Sequence, residues 1–318
     1  MVAGISARGL TKRYGSTLAV DDLTFDVAPG RVTGFLGPNG AGKSTTMRLA
    51  LGLDRPTAGS VTVLGHRYAE IRYPLRQVGA LLEARSVHPG RSARAHLQAL
   101  ALANGIPRRR ADEMLELVGL ASVAGKRSGQ FSLGMGQRLG IAAALLGDPA
   151  VLLLDEPVNG LDPEGIQWVR TLLRGLAAEG RTVFVSSHLM SEMAQTADQI
   201  IVIGAGRLIA DAPVAQIIGG SSRNAVRVRS PQVDALAAAL RGQGATVAAD
   251  AGDPAALLVS DRTLAEVGEL AAARGLVLHE LTAQRASLEE AFFELTEGAG
   301  QYAATPTDSH RPTPEGPA

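Results

Sequence analysis

Residues 32–49 read VTGFLGPNGAGKSTTMRL, a short apolar run followed by a glycine-rich turn and then by a segment typical of a helix. The turn from Gly37 to Ser44 fits the pattern G-x-x-x-x-G-K-[ST], whose glycines allow successive backbone N–H groups to point at phosphate oxygens. We expect the helix to begin at Lys43 or Ser44, so that the partial positive charge of its N-terminus adds to this cradle. The stretch therefore predicts a phosphate-binding loop, in which Lys43 reaches the β- and γ-phosphates of a nucleotide and the Ser44 hydroxyl ligates Mg²⁺.

The composition of the chain limits its size class, its partners and its chemistry. A chain of 318 residues, 46% of them hydrophobic, is long enough for about two domains with substantial cores. Lys and Arg together number 31, as do Asp and Glu, so the net charge is zero and nothing electrostatic recommends nucleic acid as a partner. The absence of cysteine excludes disulfides and cysteine-based metal or redox chemistry, and it fits a reducing cytoplasm. No apolar run approaches the roughly 18 residues that a membrane-spanning helix needs, so any membrane role must come from a partner.

Strand and helix patterns around the phosphate loop predict an α/β core with a helical insert. Residues 5–10 and 19–28 alternate apolar and polar side chains, as paired strands do. Residues 92–147 instead show helical spacing with few strand signals. A hairpin over residues 200–209 would close the first domain near residue 215.

Two acidic residues follow another strand, which is predicted to be buried. Residues 150–154 are continuously apolar and lead into Asp155 and Glu156. Such strands are typical of parallel sheets, where ligands gather at the carboxyl ends. Without a phosphate loop, the favoured interpretation would be that both acids cap the next helix. With one, we predict that Asp155 holds Mg²⁺, directly or through water, and that Glu156 polarises the attacking water.

Two further side chains, His188 and Tyr14, stand where they can meet a nucleotide. His188 follows the apolar strand over residues 182–187. A lone histidine is usually structural, but at the carboxyl end of a strand it can hydrogen-bond a γ-phosphate or a bound water. Tyr14 ends the first strand region, where an exposed ring can stack on a nucleotide base. Taken alone, Tyr14 is equally well explained as a surface tyrosine of a turn.

Several motifs occur in one order: Tyr14, the phosphate loop, the sequence FSLGMGQR at residues 131–138, the strand ending in Asp155 and Glu156, and Ser187-His188. This order resembles the ATP-binding subunit of ABC transporters over about residues 4–215. The sequences FSLGMGQRL and SLEEAFF, the latter at residues 287–293, look closest to the drug-resistance type, the daunorubicin- and bacitracin-exporter ATPases.

The resemblance implies a role for each matching residue. Glu156 is similar to the catalytic base, His188 to the switch histidine and Lys43 to the Walker A lysine. Asp155 resembles the Walker B aspartate and, with Ser44, implies a site for Mg²⁺. Residues 160–162 resemble the D-loop. The positions implied to contact ATP are Tyr14 at the adenine, then Gly37, Pro38, Asn39, Gly40, Ala41, Gly42, Lys43, Ser44 and Thr45 at the phosphates, and Ser132 and Gly134 of the signature motif.

In this family the signature motif presses on the γ-phosphate held by the opposite subunit. The resemblance therefore implies a head-to-tail homodimer with two sandwiched ATP molecules. The signature departs from the common LSGGQ form, because Leu133 and Met135 replace its first glycine and its glutamine. Glu83 stands at the loop where the family usually has glutamine, and a carboxylate there can still ligate Mg²⁺. The alternative is that Glu83 merely lies nearby.

The C-terminal third of the chain has a pattern of its own. Residues 225–281 show strand and helix patterns in the order β-α-β-β-α-β, which suggests a ferredoxin-like domain. We expect an accessory α+β domain over residues 222–297, either a packing or dimer-supporting appendage or a regulatory ligand site. Residues 298–318 are rich in Pro, Thr, Gly and Ala and are predicted to be disordered. The predicted fold class is α/β, a P-loop NTPase core of the ABC ATPase kind over residues 4–215 with a helical subdomain at about 84–148, plus the small C-terminal domain.

The function implied by the resemblance is that of an ATP-hydrolysing subunit of an exporter. It would power efflux of a drug, an antibiotic or another hydrophobic compound through a separate integral-membrane permease of the ABC-2 type, and would lie on the cytoplasmic face of the membrane. An alternative is a soluble ATP-dependent clamp acting on nucleic acid or ribosomes, but such relatives usually carry two cassettes or a long coiled coil. A P-loop kinase or GTPase is disfavoured by the signature motif and His188.

Overall fold

The computed structural model describes residues 3–83 and 87–297. The tail predicted to be disordered lies outside the described residues, as does the expected start of the helical subdomain at residue 84. The strands are β1 (Ile5–Tyr14), β2 (Thr17–Val27), β3 (Arg31–Leu36), β4 (Ala58–Val63), β5 (Val78–Leu81), β6 (Val151–Asp155), β7 (Thr182–Ser187), β8 (Gln199–Gly204), β9 (Arg207–Pro213), β10 (Ala225–Arg229), β11 (Thr246–Asp250), β12 (Asp253–Ser260) and β13 (Glu280–Gln284). The helices are α1 (Lys43–Ala50), α2 (Ala93–Ala103), α3 (Arg109–Leu117), α4 (Leu133–Leu145), α5 (Pro163–Ala178), α6 (Met190–Thr196), α7 (Val214–Gly219), α8 (Val233–Gly242), α9 (Leu264–Ala273) and α10 (Leu288–Glu297).

A six-stranded sheet in the order β5-β6-β7-β3-β8-β9 forms the centre of the first body, and all its neighbouring strands are parallel except β8 and β9. β3 and β7 lie in its middle, and both are buried over almost their whole length. Because almost every position is buried, both strands are covered on both faces, as is typical of parallel sheets. Parallel strands end at the same edge, so the residues after β3, β6 and β7 lie side by side.

A second, antiparallel sheet in the order β2-β1-β4 covers one face of the central sheet. The strands predicted over residues 5–10 and 19–28 are confirmed, and β1 continues further, to Tyr14. Three phenylalanine rings fill the space between the sheets: the Phe35 centroid lies 5.8 Å from that of Phe25 and 5.0 Å from that of Phe184. This cluster joins β2, β3 and β7 and so supports the edge that carries the phosphate loop.

The helical insert predicted over residues 92–147 is confirmed as α2, α3 and α4. Ser92 caps α2, since its hydroxyl accepts the Ala95 N–H at 3.2 Å. An ion pair of 2.7 Å between Arg94 and Asp112 ties α2 to α3. Within residues 3–83 and 87–297, no helix is both long and apolar enough to cross a membrane.

The C-terminal strands and helices follow the predicted order β-α-β-β-α-β. Strands β10 to β13 form one antiparallel sheet in the order β11-β12-β10-β13, the ferredoxin-like arrangement. The sheet has its own hydrophobic core with α8 and α9, centred on residues such as Val228, Leu236 and Val267. A capping box between Thr263 and Glu266 starts α9.

The last helix, α10, does not join that C-terminal core. Its buried residues Leu288, Ala291 and Phe292 belong to the core of the first body, together with Met193 of α6. The Glu294 carboxylate also accepts hydrogen bonds from the N–H and the hydroxyl of Ser222, at 3.1 and 2.9 Å. The chain thus returns to the first body after its second fold unit, and the boundary at residue 222 stays a prediction.

Replacing Phe35 by alanine is expected to lower the free energy of unfolding by about 3–5 kcal/mol, because it removes a fully buried ring and leaves a cavity. Urea unfolding followed by circular dichroism measures this loss. The matched control is Leu102→Ala, since Leu102 is 62% exposed and should change stability by less than about 0.5 kcal/mol. Equal losses in the two variants would contradict the packing described here.

Candidate active site

The phosphate loop lies between the end of β3 and the start of α1, which begins at Lys43, the first of the two predicted positions. Two of its glycines are required by close contacts with the backbone. A Cβ on Gly37 would lie 2.4 Å from the Ile203 carbonyl oxygen, and one on Gly42 would lie 2.5 Å from the Ala19 carbonyl oxygen. Gly42 also has a φ of 103°, which side chains disfavour. Gly37 is therefore required for reasons of space, and Gly42 for reasons of both space and backbone angle.

Lys43 is 7% exposed, and its Nζ donates to the carbonyl oxygens of Gly37 at 2.6 Å and Pro38 at 3.1 Å. Burial lowers the pKa of the Lys43 ammonium, and the nearby charges of Glu156 and Asp155 act in the opposite direction. Neutral carbonyls are weaker partners for a buried cation than an anion is. The geometry therefore favours an incoming phosphate as a partner for Lys43.

A cavity of about 280 Å³ opens beside this loop at the carboxyl edge of the central sheet. The phosphate loop and the two acidic residues, which were predicted from separate stretches of sequence, line this one cavity. Its lining residues are Ala19, Pro38, Asn39, Gly40, Gly42, Lys43, Ser44, Thr45, Leu82, Asp155 and Glu156.

Ser186 connects the two acidic residues. Its hydroxyl donates to Asp155 Oδ1 and accepts the Glu156 N–H at 3.0 Å. Ser186 is fully buried in β7, next to β6. Sequence reasoning missed this residue, although a serine directly after the apolar residues 183–185 was a signal that a polar partner lies beside it.

Glu156 and His188 meet at the edge of the cavity, where Glu156 Oε2 lies 2.7 Å from His188 Nδ1. Both side chains remain partly open to solvent, 21% for Glu156 and 45% for His188. A carboxylate held by an imidazole and reachable by water has the geometry of a general base. The structure thus brings these two predicted residues into direct contact.

Gln137 is a second residue that sequence reasoning missed. Its side chain is 3% exposed, and its Nε2 donates to the Glu156 carbonyl oxygen at 2.9 Å. The available signal was a polar glutamine in a helix that also carries apolar, buried residues such as Leu139 and Ile141.

Ser132 and Gly134 lie at the start of α4. The Ser132 hydroxyl accepts the Met135 N–H at 3.2 Å and so caps the helix. A Cβ on Gly134 would lie 3.0 Å from the Gly160 carbonyl oxygen, and the half-exposed Leu133 side chain packs on Gly160. Among the described residues, neither Ser132 nor Gly134 lines the cavity of Lys43. A single chain therefore does not combine the signature residues with its own phosphate loop.

Tyr14 and Glu83 also lie outside that cavity lining, in the part of the chain that the structure describes. The Tyr14 hydroxyl donates to Asp54 Oδ2 at 2.9 Å, and Lys12 Nζ lies 4.7 Å from its ring centroid. Burial and the Asp54 hydrogen bond raise the pKa of Tyr14. The Glu83 side chain is exposed and directly follows Leu82, which does line the cavity. The roles of Tyr14 and Glu83 stay predictions.

The oxygen donors at the cavity suit Mg²⁺. Ser44, Asp155 and Glu156 supply hard oxygen ligands there, next to the loop. Over residues 3–83 and 87–297, no group of three or more His, Cys, Asp or Glu side chains is arranged to hold a metal. Mg²⁺ is commonly held by one or two protein groups, by water and by substrate phosphates, so this arrangement fits it.

Family models match the chain in three places. The ABC transporter model covers residues 20–159, and a model of an AAA domain (putative AbiEii toxin) overlaps it at residues 126–194. A model of a domain of unknown function covers residues 224–289.

Curated relatives match over more of the chain. The bacitracin transport ATP-binding protein BcrA of Bacillus licheniformis is 45% identical over 66% of this chain and 69% of that protein. The daunorubicin resistance ATP-binding protein DrrA3 of Streptomyces coeruleorubidus is 37% identical over 92% of this chain and 95% of that protein. The second match extends through the C-terminal fold unit.

Solved structures share the fold of the first body. An ATP-binding subunit of an ABC transporter matches with a TM-score of 0.62 and 28% identity, covering 67% of this chain and 91% of that one. A bacterial ABC transporter cassette in dimeric form matches with a TM-score of 0.62 and 25% identity, covering 66% and 98%. These matches confirm the predicted fold class and the resemblance. The chain belongs to the ATP-binding, ATP-hydrolysing proteins of the ABC transporter family.

Proposed function

We propose that this protein hydrolyses ATP to power an exporter of a drug, an antibiotic or another hydrophobic compound. The observation that carries the proposal is the single cavity in which Lys43, Asp155 and Glu156 meet, while Ser132 of the same chain lies outside it. The names of the relatives support the direction of transport, since they include bacitracin transport, daunorubicin resistance and lantibiotic transport proteins. The substrate path would lie in a separate integral-membrane permease of the ABC-2 type, with this chain on its cytoplasmic face.

Two copies of the chain would form a head-to-tail homodimer with two ATP sites. Each phosphate loop needs the signature serine and Gly134 to come from elsewhere, because Ser132 caps α4 away from its own loop. A two-fold dimer supplies that serine from the second copy, and closed symmetry gives two equal sites. The dimeric form of a related cassette supports this arrangement.

The residues of the cavity divide the chemistry among them. Lys43 and the N–H groups of the loop would neutralise the β- and γ-phosphates, and Ser44 and Asp155 would hold Mg²⁺, with Glu83 as a further ligand. Bound Mg²⁺ supplies positive charge to the phosphate oxygens. Glu156 accepts a proton from the attacking water, and His188 orients that carboxylate through its 2.7 Å contact. Tyr14 stacks on the adenine.

The helical insert would carry the closure of the dimer to the permease. Helix α4 begins with the signature residues, and its other end packs against β5, which leads to Leu82 and Glu83. Movement of the signature helix is thus transmitted to the loop that contains Glu83. The C-terminal fold unit over residues 222–297 is proposed as an accessory domain that supports packing or dimerisation, and its last helix, α10, attaches it to the core of the first body.

Replacing Glu156 by glutamine is expected to lower kcat for ATP hydrolysis by about 100-fold to 10,000-fold, because the general base is lost. Nucleotide binding should remain, since the phosphate loop is untouched. A phosphate-release assay and titration with a fluorescent ATP analogue measure the two quantities. The control is Glu116→Gln on the exposed surface of α3, which should hydrolyse ATP like the parent. Full hydrolysis in Glu156→Gln would remove Glu156 from the role of base.

Replacing Ser44 by alanine is expected to raise the Mg²⁺ concentration for half-maximal hydrolysis by about tenfold or more, because a ligand is lost. The same measurement on Glu83→Ala tests its predicted part in the metal site, and Glu116→Ala is the matched control. An unchanged Mg²⁺ dependence in Glu83→Ala would show that Glu83 merely lies nearby.

The export proposal is tested by tagging the Glu156→Gln variant in its native host, solubilising membranes with ATP and Mg²⁺, and identifying the proteins that co-purify. We expect a multi-spanning membrane protein without ATPase motifs of its own. Recovery of soluble nucleoprotein alone would contradict the exporter and favour an ATP-dependent clamp on nucleic acid or ribosomes.

A further inference from the structure

Glu156 has an unusual backbone conformation that needs outside support. Its φ is 51°, in the left-handed region that residues other than glycine and asparagine seldom adopt. Such a conformation persists only where the surroundings hold it, and it is commonly found at functional sites. The contacts that hold Glu156 therefore decide where its carboxylate lies.

Two parts of the fold, β7 with the loop directly after it and helix α4, hold three different parts of Glu156. Its N–H is bound by Ser186 of β7 at 3.0 Å, and its carboxylate lies 2.7 Å from His188. Its carbonyl oxygen accepts the Gln137 amide at 2.9 Å and, less closely, the Asn159 N–H at 3.2 Å. Gln137 alone among these side-chain partners comes from the helical insert, and it is almost completely buried. This bond is favoured because a buried amide donor without an acceptor would cost the full free energy of its desolvation.

The rest of α4 fits closely against the segment that follows Glu156. A Cβ on Gly134 would lie 3.0 Å from the Gly160 carbonyl oxygen, and one on Gly165 would lie 3.4 Å from Arg138 Nη2. Residues 134, 137 and 138 share one face of the helix, so this face of α4 packs against the segment that follows Glu156. These contacts fix the position of Gln137 relative to Glu156.

We infer that Gln137 is a positioning residue for ATP hydrolysis, which sets the carboxylate of Glu156 by holding its backbone carbonyl. This inference rests on the proposed role of Glu156 as the base. Ser132 and Gln137 are five positions apart on one helix, which is about 7.5 Å along its axis. Under the proposed dimer, Ser132 contacts the ATP of the opposite subunit. One rigid helix then joins the nucleotide of one site to the base of the other.

The test compares Gln137→Met, which keeps the volume but removes the donor, with Gln137→Glu, which keeps the shape but places an acceptor against the carbonyl. Both should lower kcat by about tenfold, the loss expected from one misdirected hydrogen bond, with KM and the affinity for a fluorescent ATP analogue changed by less than about twofold. The control is Gln216→Met on the exposed side of α7, which should match the parent. Thermal melts of all variants show whether each one folds.

A double variant separates positioning from a general structural role. If Gln137 acts through Glu156, then adding Gln137→Met to Glu156→Gln causes no further loss in single-turnover hydrolysis. A further tenfold loss in the double variant, or a loss of nucleotide affinity in both folded single variants, would overturn the inference while leaving Glu156 as the base. Unchanged hydrolysis in Glu156→Gln itself would instead overturn the assigned base, and this inference with it.

Discussion

The parallel register of β3, β7 and β6 decides where every group of the site lies. Leu36 pairs with Ser187, and Asp155 pairs with Ser186. This alignment ends the three strands at one level, so that the phosphate loop, Glu156 and His188 follow them as neighbours. A slip of one residue in any strand would turn its buried side chains to the other face, which the two cores on either side of the sheet do not allow.

The charged groups at this edge are one ammonium and two carboxylates. The ammonium of Lys43 is buried with two loop carbonyls as its partners, and the carboxylates of Asp155 and Glu156 line the same cavity. A nucleotide with Mg²⁺ brings phosphate oxygens to the lysine and a cation to the carboxylates. Each of these charges thus gains an opposite partner, which is favourable where water is scarce. The same cavity holds the groups for binding and for water activation.

Local patterns were sufficient to predict the phosphate loop, the start of α1 at Lys43, the acidic end of β6 and the β-α-β-β-α-β order of the C-terminal unit. Each depends on glycine spacing or on the period of apolar residues within one short stretch. Ser186 and Gln137 were missed, because each acquires its role from a partner 30 and 19 positions away in the chain. The packing of α10 on the first body was missed for the same reason, since an amphipathic helix does not specify which core it covers. Tyr14 and Glu83 need a bound nucleotide or metal before their roles can be judged.

The most direct measurement of the two-chain ATP site is a disulfide cross-link. The chain has no native cysteine, so Asn39→Cys in the phosphate loop and Ser132→Cys in the signature would be the only thiols present. In the Glu156→Gln background with ATP and Mg²⁺, oxidation should join positions 39 and 132 of different chains, and either single cysteine variant should give no such link. ATP-bound protein that remains monomeric, or that links these positions only within one chain, would contradict a site shared between two subunits.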